Sequence, residues 1–300
     1  RVFESLGQRR IDDANTRALV GRQSELQQLL AQLQHLVDDP DRSRLVVVEG
    51  DAGIGKSHLC AAFVQAARER GLVLASGASD PLDHSAAYQP LRPVFDTLLG
   101  LRGVPDAPTR RARVLALLPD DDATRERISL LSDVLALALP PSATEQQMSG
   151  RGRIEATTDL LVRLLVATAD RAVRIVMLED LHWLDSASWG VLEQAVRRCP
   201  GLLVVLSTRP LRDDAPCAEL LRDPANLHLR LAPLQASAVR DIIAAELGVS
   251  EVPEPVWRTV ADRTQGLPLY VRQVVAALVQ GRVVQCAGGT IRYDPQGLSS

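Results

Sequence analysis

Residues 45–57 read LVVVEGDAGIGKS, and few folds accommodate such a run. Leu45 to Val48 are apolar and mostly β-branched, which suits a strand covered on both faces. The chain then turns glycine-rich: Gly50, Gly55, Lys56 and Ser57 satisfy GxxxxGK[ST], with Gly53 as an additional glycine inside the loop. Glycines at these positions let backbone N–H groups curl around an anion at a helix N-terminus. The N–H groups of Ala52, Gly53, Ile54, Gly55, Lys56 and Ser57, with His58 next in line, are placed to hold α- and β-phosphates. The Lys56 ammonium reaches the β- and γ-phosphates, and the Ser57 hydroxyl ligates Mg²⁺.

The motif needs a strand before it and a helix after it. Leu59, Ala62, Phe63 and Ala66 recur at helical spacing until Gly71 stops the run, so both are expected. Lys56 is also the only lysine among the 34 basic residues. It stands where a compact ammonium, rather than a planar guanidinium, suits a phosphate.

Arg174–Asp185, RIVMLEDLHWLD, is a second apolar strand that ends on two acids. Alone it is a strand followed by an acidic turn. Beside a phosphate loop it supplies the carboxylates that such chemistry needs, one holding Mg²⁺ and one orienting an attacking water. Glu179 and Asp180 are the candidates for both magnesium and catalysis; Glu179 on magnesium with Asp180 on water is the first assignment, and the exchanged one stays open. Leu202–Leu206 is a further buried strand, followed by Ser207, Thr208 and Arg209 at its C-terminal end, where open α/β sheets place ligands. Thr208 and Arg209 are therefore expected at the nucleotide.

Strands are also expected at 72–78 and 227–231, which makes a five-stranded parallel sheet. The expected organisation is a linker at 1–17 and an α/β nucleotide-binding domain at 18–212 with a helical insertion at about 80–168. A helical lid at 213–280 and the start of a further, winged-helix-like domain at 281–300 follow. In the last segment, Val283 and Val284, the Gly288–Gly289 turn, Ile291 and Tyr293 read as a hairpin.

A net charge of −3 gives no electrostatic footprint for nucleic acid. Cys60, Cys199, Cys217 and Cys286 form no CxxC pair, so a zinc ribbon is excluded and a reducing compartment is favoured. No apolar run approaches the roughly 18 residues needed to span a bilayer, and a cytoplasmic location with no membrane partner is expected.

Taken together, VGR at 20–22, GDAGIGKS, LEDLHWLD, LSTRP and GLPLY resemble the successive motifs of the signal-transducing ATPases with numerous domains, the STAND branch of AAA-like phosphate-loop proteins. The likeness runs from about residue 18 to 280. The HW after the acids and ISLLSDVLALALP are most similar to modules joined to class III adenylate/guanylate cyclases, and next to those of large LuxR-type regulators. The resemblance implies that Val20, Gly21 and Arg22 lie by the adenine and ribose. It also implies that Arg209 senses the γ-phosphate and that Pro268 packs on the base. The acids here run Glu then Asp, where many relatives write Asp first.

The expected activity is a slow, regulatory ATPase using ATP/ADP and Mg²⁺. Its partners would be an upstream output domain of the cyclase type, downstream sensor or repeat domains, and a second copy of itself in the ATP state. A mechanical motor would need pore-loop aromatics and an assignable arginine finger. A phosphotransferase would leave no free phosphate.

Overall fold

The computed structural model describes residues 19–79, 87–168, 174–212, 214–287 and 289–299. The linker expected at 1–17, the first residues of the insertion and Gly288 of the expected turn lie outside them.

Five parallel strands, β1 (Arg44–Glu49), β2 (Val73–Ala78), β3 (Arg174–Glu179), β4 (Leu202–Thr208) and β5 (Leu227–Arg230), form one sheet in the order β2-β3-β4-β1-β5. Successive strand residues face opposite sides, so each strand feeds two apolar clusters. Val46, Val48, Ile175, Met177, Leu203 and Val205 meet Leu29, Leu33 and Leu36 of α1 (Gln23–Asp38) and Leu59, Phe63 and Val64 of α2 (Lys56–Glu69). Leu45, Val47, Val176, Leu178, Val204 and Leu206 face the other way. Both faces are covered, which is why these strands are apolar throughout rather than alternating.

The second face is covered by the insertion and by the helix that follows β3. The insertion contributes α3 (Arg92–Leu98), α4 (Ala107–Leu115), α5 (Asp122–Arg127), α6 (Ser132–Leu135), α7 (Ala143–Gln147) and α8 (Gly150–Ala167). Phe95, Leu131, Leu161 and Leu165 join the sheet there, together with Val191 of α9 (Ser186–Arg198). Asp185 caps α9, its side chain accepting from the Ser188 N–H at 2.8 Å, as its position before the helix predicts.

The lid consists of α10 (Ala236–Leu247), α11 (Glu254–Thr264) and α12 (Pro268–Gln280), which share their own core of Val239, Ile243, Val256, Val260, Val271 and Val275. The hairpin β6 (Val284–Ala287) and β7 (Thr290–Tyr293) is present and antiparallel, and α13 (Pro295–Ser299) follows it. Val284 and Leu298 bring this segment into the lid cluster.

One expected boundary is corrected. β5 pairs with β1 along 46–49, so the α/β unit continues to Arg230 and does not end at 212. The lid cluster begins only at Leu234. The connection 213–226 contains little apolar periodicity, and only strand pairing reveals which unit it serves.

Candidate functional site

The loop after β1 is held by the sheet at one end and by a helix at the other. Gly50 N–H donates to the Thr208 carbonyl at 3.1 Å, fixing where the chain leaves the sheet. Gly53 and Gly55 then take φ of 78° and 101°, conformations that disfavour any side chain. Gly55 is the N-cap of α2 and brings no side-chain acceptor, so the first-turn N–H groups of that helix are offered to a ligand. The Lys56 ammonium donates to the carbonyls of Gly50 at 2.7 Å and Asp51 at 2.9 Å. Burial pushes its pKa below the usual lysine value; the Asp180 carboxylate opposes this and the Arg209 guanidinium adds to it. Two cations thus face one cleft, an arrangement that an anion between them relieves.

The two acids part company at the end of β3. Glu179, its last residue, is buried at 2 % exposure, and its Oε2 accepts from the Ser57 hydroxyl at 3.5 Å. Its charge also helps burial push the Cys60 thiol pKa up. Asp180 takes a left-handed conformation with φ of 60°, which turns its side chain toward the cleft. Ser57 and Glu179 together offer hard oxygen donors, the set that suits a magnesium ion completed by phosphate oxygens and water. The pair fits that ion when nucleotide is bound.

The lid is joined to the loop directly. Leu269 N–H, in the first turn of α12, donates to the Gly53 carbonyl at 3.2 Å, and a Cβ at Gly53 would lie 3.0 Å from that of Leu269. Pro268 lies beside Gly55, 3.7 Å from where a Cβ would be. Gly21, with φ of 69°, lets the entering chain pack on Ala238 of α10, where a Cβ would approach to 2.6 Å. Arg22 is 4 % exposed and donates to the Ile54 carbonyl at 3.1 Å, the Ala232 carbonyl at 2.6 Å and Glu25 at 2.8 Å. It therefore fastens the loop to the start of the lid.

The resulting cleft has a volume of about 330 Å³. Val20, Arg22, Ala52, Gly53, Ile54, Gly55, Lys56, Ser57, His58, Asp180, Arg209 and Pro268 all line it. Gly21, Gly50 and Glu179 are not among its lining residues. Thr208 is a correction: strand parity sends Ser207 and Arg209 into the cleft and Thr208 to the opposite side, into a separate cavity.

Five lining residues lie outside the candidate set: Leu19, Ser207, Ile242, Leu269 and Arg272. Arg272 pairs with Glu246 at 3.4 Å and approaches His58 Nε2 at 3.4 Å, spanning the lid and α2. It follows Pro268 by four positions, and that helical spacing is the signal that places it on the same face.

Rattus norvegicus adenylate cyclase type 10 is 22% identical over 275 residues, covering 89% of this chain and 16% of that protein. The uncharacterized protein R02095 of Rhizobium meliloti is 28% identical over 239 residues, covering 77% of this chain and 22% of that one. The chain thus spans less than a quarter of the length of these curated relatives. The Aeropyrum pernix ORC1 protein, solved in complex with DNA, shares the fold with a TM-score of 0.51 at 15% identity, over 91% of this chain and 64% of that one. The family model described as "AAA ATPase domain" matches residues 18–206, more than half of the chain, and the protein belongs to that family.

Proposed function

We propose that this ATPase domain is a nucleotide-operated switch. ATP with Mg²⁺ binds between the α/β unit and the lid, and slow hydrolysis changes how the two units are held. The observation that carries the reading is the Leu269–Gly53 hydrogen bond, because the loop that grips phosphates is also bonded to the lid. A ligand that alters the loop therefore biases the lid.

In this reading the first-turn N–H groups of α2 and the Lys56 ammonium hold the phosphates, and Ser57 and Glu179 hold the magnesium. Mg²⁺, when bound, supplies charge neutralisation on the phosphate oxygens. Asp180 orients the attacking water, and Arg209, in the field of Lys56, meets the γ-phosphate. Pro268 and Val20 flank the base. The cyclase names among the relatives support an output domain of that class elsewhere in the protein, with this module controlling it as a STAND-type signalling element.

The test is Lys56→Ala. Its ammonium bonds to the Gly50 and Asp51 carbonyls of its own loop, so the fold should persist by circular dichroism while calorimetric ATP binding disappears. Unchanged ATP affinity would remove the phosphate-site assignment. A distance probe between the α/β unit and the lid should report different values in ADP and in a non-hydrolysable ATP analogue. Identical values would remove the switch.

A further inference from the structure

The strand that ends at the nucleotide cleft also ends at a second cavity. Thr208 points there, into a volume of about 350 Å³ walled by Leu181, Leu184, Trp189, Leu211 and Pro216. Thr208 is 1 % exposed, and among the described residues its hydroxyl has no hydrogen-bond partner. Both ring nitrogens of His182, on the same wall, are likewise buried without one. Buried polar groups in folded proteins are almost always satisfied, so three such atoms around one apolar cavity point to something that enters and satisfies them. Arg212 and Asp214 at the edge pair with each other at 3.3 Å, so among the described residues the charges of the lining cancel.

We propose that this cavity binds a small uncharged ring compound with an apolar body and one hydroxyl or N–H group, held by Thr208 and His182, and that the nucleotide cleft reads its occupancy. Thr208 is covalently next to Arg209, and His182 is two residues from Asp180, so each polar wall of the cavity continues into a residue that lines the cleft. A ligand that fixes the end of β4 and the turn after β3 fixes those two side chains as well. The binding claim is independent of the proposed nucleotide role; the coupling claim rests on it.

The probe is 4-methylphenol, followed through the indole N–H signal of Trp189, assigned by its disappearance in Trp189→Phe. Saturable perturbation is expected with the wild-type chain in the absence of nucleotide. Toluene, which lacks the hydroxyl, and 4-methylbenzoate, which is charged, should each bind at least tenfold more weakly. Thr208→Val keeps the volume and should weaken 4-methylphenol at least tenfold; Ala215 also lines the cavity, and Ala215→Phe, which fills the space, should do the same. No saturable response up to the solubility limit of 4-methylphenol would mean that the cavity holds only water, and equal affinity in Thr208→Val would mean that Thr208 does not hold the ligand; either result would overturn the site. In saturating 4-methylphenol the calorimetric Kd of ADP should shift by about fivefold or more. An unchanged Kd would overturn the coupling while leaving the binding site in place.

Discussion

The backbone N–H of Leu269 donates to the carbonyl of Gly53 at 3.2 Å, so the first turn of the lid helix α12 and the phosphate-gripping loop are one hydrogen-bonded unit. The contact is close because Gly53 has no side chain. A Cβ there would press to 3.0 Å on that of Leu269, and its backbone φ of 78° already disfavours one. Gly53→Ala should therefore push the lid from the loop and weaken nucleotide binding. The α/β unit should melt nearly as before, since its two clusters do not involve this residue. Calorimetry alongside thermal melting checks this; wild-type affinity would mean that the loop does not need the lid.

The two acids should be separable. Glu179 lies against Ser57 whereas Asp180 lines the cleft. Glu179→Gln should raise the Mg²⁺ concentration needed for turnover, and Asp180→Asn should retain ATP while losing hydrolysis. Phosphate release measured across a magnesium titration distinguishes them. The opposite pattern would exchange their roles.

Arg209 and Arg272 reach the cleft from different units, and their removal should be felt differently. A guanidinium that meets only the γ-phosphate contributes about 1.5–3 kcal/mol to ATP and nothing to ADP. Arg209→Ala should then lower affinity for a non-hydrolysable ATP analogue about tenfold or more and spare ADP. Arg272→Ala, which releases Glu246 and His58, should weaken both nucleotides together because it loosens the lid from α2. Equal losses in Arg209→Ala would end its sensor role.

Arg22 should behave as a structural clasp. Arg22→Met removes charge-assisted bonds to the Ile54 and Ala232 carbonyls. Each such bond contributes about 1.5–3 kcal/mol, so chemical denaturation should show a loss of that order or larger. A loss below about 0.5 kcal/mol, the range of ordinary surface substitutions, would mean that the clasp is dispensable.

What the sequence by itself determined are the features written in neighbouring residues. The phosphate loop is a covalent run from Gly50 to Ser57, and its strand announces itself by a continuous apolar run and its helix by a period of 3.6 residues. The acids at 179–180 and the five strands are legible for the same reason. Contacts between elements are not written that way. Whether Thr208 or its neighbours face the cleft depends on the parity with which β4 enters the sheet, and a shift of one residue would reverse it. Arg22 lines the cleft, and only its bonds to Ile54 and Ala232 show that it also holds backbone. The boundary between the α/β unit and the lid reads as 212 until β5 pairs with β1 and carries the unit to Arg230. Only the tertiary structure decides these, because each depends on which surfaces meet across tens or hundreds of residues, and burial and hydrogen-bond satisfaction select that pairing over the whole fold at once.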